Sequence, residues 1–425
     1  MSLADLGFRT WLIREPGRPA IYRVAAGGLV NSLGSGATAL AFGYFLYDKT
    51  GSAVWLSIWY FLSFGITGIF TPIAGWLADR FDRRQIIIGA DIAAAICSLS
   101  LILARGPVVL VGIAFFASIV GRAGGPSFGA AIPNLAGDEP LEWANGTMSV
   151  AFNIGTLLGP ILGGAIYVAA GRSVVFAFDA CTYVVAAIAI STLRMPFRAA
   201  SGEEEGEDEE KSGGVLRGFR IVFDDRILRS LIVIWALGFF AVDITLVGDL
   251  PLARTFGAGA LAFGVLSAAW GAGSIVGSLL GRRLREDQGA IGIAIGVVGI
   301  AVSAALIATS PWFAFVVFLS GTLAIASGIE DVAGFSMIQR GATDDVRGRV
   351  MSTFFTLGLA ANAVAFAIAG PLVELFGPRA IYAISAAASA ICIPFLAPIF
   401  RIHSREQPDA AGQPADAGQD VDSDA

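Results

Sequence analysis

Six ionisable side chains lie deep inside apolar stretches of the sequence: Asp91, Arg122, Asp179, Asp243, Glu330 and Asp331. An ionisable group in such surroundings is costly and by default marks a functional site. A carboxyl group desolvated at that depth can take up and release a proton near neutral pH. Asp243, followed by Glu330 and Asp331, are the leading proton carriers, and a fixed ion pair between Arg122 and one of these acids is the competing use. Other chemistry finds few residues. The single histidine, His403, stands in a polar tail, and Cys97, Cys181 and Cys392 lie far apart in apolar runs. That leaves no disulfide framework, no His/Cys metal site and no histidine-based triad within the apolar segments. Gly125-Pro126-Ser127-Phe128-Gly129 fits the G-x-S-x-G pattern of a serine nucleophile, but no strand precedes it and no histidine serves it. Neither Lys49 nor Lys211 completes a G-x-x-x-x-G-K-[ST] loop, so no phosphate-binding loop hydrolyses ATP. The expectation is a chain with no cofactor, no metal and no nucleotide, drawing on an ion gradient or on a separate subunit.

The elements that hold these groups are membrane helices. Of 425 residues, 56% are hydrophobic and 15% charged, where a soluble chain carries about 25% charged residues. An aqueous core stops growing beyond about 250–300 residues, so this much apolar surface requires lipid as its solvent. Runs long enough to span a bilayer, about 20 residues each, number twelve. They lie at roughly 22–47, 53–78, 85–105, 108–133, 143–170, 174–193, 228–254, 260–281, 289–309, 311–338, 349–376 and 379–400, here spans 1 to 12. Of the 28 Lys and Arg residues, 22 fall on the side of the termini and five on the other, with Arg122 inside a span. Because cytoplasmic loops hold the positive excess, both termini are expected in the cytoplasm.

Residues 1–20 carry Arg9, Arg14, Arg18 and Trp11 with no cleavable apolar stretch, and read as an interfacial segment. Residues 21–195 form a six-span half. The stretch 196–227 is a cytoplasmic linker whose block from Glu203 to Glu210 is too acidic to bury anything, and 228–402 form a second six-span half. Residues 403–425 read as a disordered acidic tail. Met148-Ser149 with Gly155, and Met351-Ser352 with Gly358, repeat at an offset of 203, and Gly75 and Gly277 at 202. The predicted fold is an all-α integral membrane protein, two six-helix halves related by a parallel pseudo-repeat, with the site at their interface.

Gly75-Trp76-Leu77-Ala78-Asp79-Arg80-Phe81-Asp82-Arg83-Arg84, between spans 2 and 3, resembles the signature loop of the major facilitator superfamily, although Asp82 stands where the family usually has glycine. Gly155-Thr156-Leu157-Leu158-Gly159-Pro160-Ile161-Leu162-Gly163-Gly164 on span 5 is similar to the helix 5 motif of that superfamily's exporters. The block from Asp344 to Ser352, entering span 11, resembles the branch of macrolide and siderophore exporters. Arg122 matches the family's helix 4 arginine linked to proton coupling, though Gly124-Gly125-Pro126 fits that motif loosely.

Each motif also has a physical reading. The Asp79 carboxylate can face the N-terminus of span 11, where the helix dipole favours negative charge. Arg80, Arg83, Arg84, Arg347 and Arg349 on the same face can complete a cytoplasmic latch, or serve only as topology determinants. Gly155, Gly159 and Gly163 line one face of span 5 and admit a second helix, while Pro160 offers a kink. Gly273, Gly277 and Gly281 repeat the spacing on span 8, where plain packing is expected. Asn31, Ser35, Asn153 and Asn362, with Ser32 and Thr38, are polar groups that can face a central cavity with Trp55, Trp59, Trp235 and Phe239. Such a cavity suits small amphipathic organic compounds, cationic ones included.

What the resemblance implies is a proton-coupled exporter, or antiporter, of drugs, macrolides or siderophores working by alternating access, a monomer in the cell membrane with no nucleic-acid partner. An importer or lipid flippase of the same fold is the alternative. A membrane-embedded enzyme is disfavoured by the missing catalytic residues, and a channel by the lack of a charge ring or carbonyl filter. The ratio of 26 arginines to two lysines points to a GC-rich prokaryotic genome.

Overall fold

The computed structural model describes residues 15–193, 197, 220, 222–341 and 344–406. The first fourteen residues, the acidic block Glu203 to Glu210 and the tail beyond Glu406 lie outside the described residues, as do the side chains of Asp79, Asp344, Asp345, Arg347 and His403. Twelve described helices are long and apolar enough to cross a membrane: Arg18–Thr50, Ala53–Phe70, Arg83–Leu103, Pro107–Ala136, Leu141–Ala170, Arg172–Ser191, Arg226–Thr255, Ala260–Gly281, Gly289–Thr309, Phe313–Arg340, Gly348–Phe376 and Pro378–Phe400. They are spans 1 to 12 in order.

Local signals set their ends. Pro19, Pro107 and Pro378 open spans 1, 4 and 12, where a missing N–H costs nothing. Asp82 caps span 3 by accepting from Arg84 N at 2.8 Å, and Asp225 caps span 7 by accepting from Ile227 N and Leu228 N at 2.7 and 2.8 Å. Gly51 at φ 64° closes span 1 in the left-handed region that glycine adopts freely. Two spans depart from the continuous runs expected. Span 2 passes through a π turn at Phe61–Gly65 and a 3-10 turn at Thr67–Phe70 before resuming as Thr71–Arg80. Pro72 there has no N–H to return to the preceding turn. Span 12 breaks at Cys392, just before Pro394, and continues as Ile393–Glu406.

The same pairings occur in both halves. Span 1 packs on 5 and 6, span 3 on 4 and 6, and span 2 on 4; correspondingly, 7 packs on 11 and 12, 9 on 10 and 12, and 8 on 10. The halves meet through spans 5 and 8 and through spans 2 and 11.

Where the core is continuous shows which way the bundle opens. One buried cluster joins both halves at the face opposite the termini, from Leu40, Leu46 and Leu56 to Ile244, Leu250 and Phe366. At the face of the termini there are two separate clusters instead, one around Ile21, Leu135 and Leu193 and one around Leu228, Ile338 and Ile399. The halves are therefore sealed at what we call the distal face and splayed at the terminal face. The close approaches across the seam agree with this. A Cβ on Gly370 would come within 2.6 Å of Ala53 O, one on Gly65 within 3.2 Å of Ala363 Cα, and one on Gly164 within 2.8 Å of Ala260 O. Beyond Phe70, the stretch Thr71–Arg80 leaves the seam and packs on span 4.

Candidate functional site

The acids of the second half converge. Asp243 lies 9% exposed on span 7, and its Oδ2 accepts from Asn362 Nδ2 of span 11 at 2.8 Å. Glu330 and Asp331 are consecutive on span 10, so successive helical positions turn them apart. Glu330 points inward, 8% exposed. Its Oε1 lies 3.0 Å from where a Cβ on Gly238 would stand, and its Oε2 is buried without a hydrogen-bond partner. Asp331 is exposed to the space between the spans. With Trp235, Phe239 and Trp270, the three acids line a cavity of about 140 Å³. Trp235 stacks on Phe239 at 5.8 Å and leans on Phe354 at 5.3 Å, its Nε1 unpartnered. An ionised carboxylate without a partner is expensive in such surroundings, so this cavity favours a proton or a cationic group beside its acids. Aromatic faces add attraction for a cation.

The first half offers a neutral wall. Ser32, Asn145, Ser149 and Asn153, with Phe152 and Met148, line a cavity of about 370 Å³ among spans 1, 4 and 5. Asn31 and Ser35 belong to a different seam, among spans 1, 3 and 6. Ser35 Oγ donates to Asn31 Oδ1 at 3.3 Å and lies 3.1 Å from Tyr183 Oη. Asn31 also lines a small space of about 70 Å³ with Asp91. Asp179, 1% exposed, accepts from Ser98 Oγ at 2.6 Å. Trp59 is buried in the distal core against Phe42 at 4.9 Å, away from both cavities. Among the described residues no ion pair joins Arg122 to an embedded acid.

The basic loop between spans 2 and 3 is anchored within its own half. Arg83 Nη1 donates to Ala130 O at 2.8 Å and to Phe197 O at 3.4 Å, and Arg84 Nη2 to Ser191 O at 2.5 Å. Arg80 lies over the Trp76 ring at 5.6 Å. A side chain at Gly75 would meet open space. Arg349 is half-buried on span 11. The contact expected between Asp79 and the entrance of span 11 involves side chains outside the described residues.

The glycine ladder of span 5 seats span 1. A Cβ on Gly155 would fall 2.3 Å from Ser32 Cβ, on Gly159 2.9 Å from Leu33 O, and on Gly163 2.5 Å from Ala37 Cα. Gly164 faces the other half instead, as does the Pro160 carbonyl, 2.7 Å from a Cβ built on Gly264 of span 8, while the Pro160 ring lies against Gly36 of span 1. One motif thus packs a helix within its half and brings the two halves into close contact. On span 8, Gly273 and Gly277 meet the carbonyls of Gly321 and Ile325 on span 10, inside the second half.

Two polar contacts escaped the sequence reading. Arg254 Nη2 pairs with Asp48 across the distal seam, and Tyr382 Oη donates to Asp249. Asp249 sits close enough to Arg254 to read as an interfacial charge. The same test of acids within apolar runs, applied up to the end of span 7, would have found it.

The family profile described as Major Facilitator Superfamily matches residues 24–302. Macrolide efflux protein A of Streptococcus pyogenes is 33% identical over 180 residues, 41% of this chain and 44% of that protein, so the chain spans under half the length of that relative. Multidrug efflux pump Tap of Mycobacterium tuberculosis is 24% identical over 386 residues, 87% of this chain and 91% of that protein. A solved bacterial homologue of the iron transporter ferroportin, in an inward-facing state, superposes with a TM-score of 0.69 at 17% identity, over 91% of this chain and 99% of that one. These relatives and this fold are those of transporters, not of enzymes. With twelve membrane-spanning helices in that arrangement and a family match over most of its length, the chain belongs to the major facilitator superfamily.

Proposed function

We propose that the protein is a proton-coupled exporter of small amphipathic organic compounds, working by alternating access as a monomer in the cytoplasmic membrane with both termini in the cytoplasm. The observation that carries this reading is the acidic, aromatic cavity of Asp243, Glu330 and Asp331, lined by spans 7 to 10 of the second half in a bundle whose halves part on the terminal face. Similarity to a macrolide efflux protein and to a multidrug efflux pump supports export and an organic substrate. The charge bias of the loops supports a cytoplasmic terminal face. In the cycle, a substrate enters from the cytoplasm, its apolar part against Trp235, Phe239 and the wall of Ser32 and Asn153, its polar or cationic part toward Asp331. Proton uptake at the acids and substrate binding favour opposite orientations, so a proton gradient drives the compound outward. The energy source is the gradient, with no cofactor.

The test is accumulation of ethidium and erythromycin in bacteria stripped of their own exporters, with and without a protonophore. Wild type lowers accumulation, and the protonophore removes the difference. Raised accumulation of either compound replaces export with import; a difference that survives the protonophore removes proton coupling.

A further inference from the structure

Asp249 lies six residues before the distal end of span 7, and the hydroxyl of Tyr382 on span 12 donates to its Oδ1. Tyr382 is 1% exposed, so its phenol has left solvent to meet a carboxyl group. Gly248 allows that approach, since a Cβ there would stand 3.2 Å from Ile381 Cγ2. The pair sits at the seam of the halves. Tyr60 of span 2 lies within electrostatic reach of Asp249 and stacks on Phe366 of span 11 at 5.2 Å and 23°.

The other charged groups nearby have partners of their own. Arg254 of span 7 pairs with Asp48 of span 1, Glu374 of span 11 accepts from Ser52 Oγ, and Arg379 of span 12 donates to Ser310 O at 2.9 Å. Among the described residues Asp249 therefore has a hydroxyl partner and no cation. A neutral side chain would tether spans 7 and 12 at a smaller desolvation cost. What an acid adds at this place is the ability to exchange a proton.

We infer that Asp249, hydrogen-bonded by Tyr382, is the station at which the proton enters from the distal side. The inference rests on the proton-coupled reading above. Asp249 and Asp243 share span 7, six residues or about 9 Å apart along its axis. In the conformation seen, Asp249 is half-buried beside the sealed seam of Tyr60 and Phe366, whereas Asp331 is exposed and lines the cavity. Parting of the halves at the distal face uncovers Asp249 to the outer water. Each proton taken up there on a carboxylate oxygen is passed along span 7 to the Asp243 and Asp331 group, which releases one proton to the terminal side, so that Asp249 is deprotonated again and the carboxyl groups end the cycle unchanged.

The experiment uses everted membrane vesicles from an exporter-deficient bacterium, with ethidium as the probe and acridine orange reporting the acidified lumen. The arms are wild type, Asp249→Asn, Asp249→Glu and Tyr382→Phe, and ethidium binding to each purified protein in detergent checks its fold. Ethidium triggers proton release from wild-type vesicles. Asp249→Asn binds ethidium but shows the proton release of empty vesicles, Asp249→Glu restores it, and Tyr382→Phe transports with a shifted dependence on lumenal pH. Wild-type proton release in Asp249→Asn overturns the inference and leaves a structural tether. An unshifted lumenal-pH dependence in Tyr382→Phe overturns it as well, even where Asp249→Asn fails to fold. Absence of proton release in wild type refutes the proton-coupled reading itself, a different outcome from either.

Discussion

Asn362 of span 11 donates its amide hydrogen to Asp243 of span 7 across 2.8 Å, and its own Oδ1 is buried without a partner. Spans 7 and 11 thereby share the charge of one acid. A hydrogen bond to a charged group contributes about 1.5–3 kcal/mol. Asp243→Asn is expected to abolish protonophore-sensitive ethidium export. Asn362→Leu, which removes the donor and keeps the acid, is expected to leave export active with an altered pH profile. Efflux from preloaded cells across a pH series checks both; wild-type export by Asp243→Asn moves proton coupling to Glu330 or Asp331.

Arg83 and Arg84 hold the terminal ends of spans 4 and 6 through main-chain carbonyls of Ala130 and Ser191. Replacing either by alanine strips a charged donor from a carbonyl, a loss of about 1–3 kcal/mol. The expected result is a lower melting temperature and less folded protein in the membrane, with turnover per folded molecule reduced less. Fluorescence-detected size exclusion after heating, paired with transport normalised to folded protein, separates this from a gating role.

Gly163 and Gly75 give opposite forecasts. A methyl group on Gly163 would lie 2.5 Å from Ala37 Cα, whereas one on Gly75 meets nothing within 4 Å. Overpacking of this kind costs about 1–3 kcal/mol or more. Gly163→Val should therefore destabilise the pairing of spans 1 and 5. Gly75→Ala should leave thermal stability at the wild-type value, so that any transport defect in it reports on the moving state. Thermal unfolding of both purified variants is the check.

The Asp48–Arg254 pair bridges the halves at the distal face, with side chains 56% and 31% exposed and the guanidinium 4.3 Å from the Tyr44 ring. A pair this open to water contributes about 0–1 kcal/mol. Asp48→Asn should shift the balance toward distal opening by up to about fivefold. The exchange of Asp48→Arg with Arg254→Asp should return it. Spin-label distances between the loop after span 1 and the loop after span 7 measure the shift; an unchanged distribution in Asp48→Asn shows that apolar contact alone seals this face.

The lipid-embedded helical fold was legible in composition and run length, because hydrocarbon tolerates no unpaired backbone and leaves apolar stretches of this length one way to cross it. The acids were legible for the same reason: a charge among apolar residues stands out without any knowledge of its neighbours. The glycine spacing on span 5 announced a close helix contact. It could not say that Gly155, Gly159 and Gly163 seat span 1 while Gly164 turns to span 8.

Those distinctions are tertiary. Asn31 and Asn153 look alike in sequence, each a polar residue at mid-span. Packing sends one to a seam with Ser35 and Asp91 and the other to an open cavity. Glu330 and Asp331 are adjacent and both line the cavity, yet one is buried against the bare backbone of Gly238 and the other stays exposed. The tie of Asp249 to Tyr382 joins positions 133 residues apart. The sequence alone determined which segments enter the membrane and which groups are costly there, since both follow from the transfer of each residue out of water. Which of those groups meet, and which face of the bundle is shut, depended on how twelve helices pack against one another, a property of their joint surfaces that no single span contains.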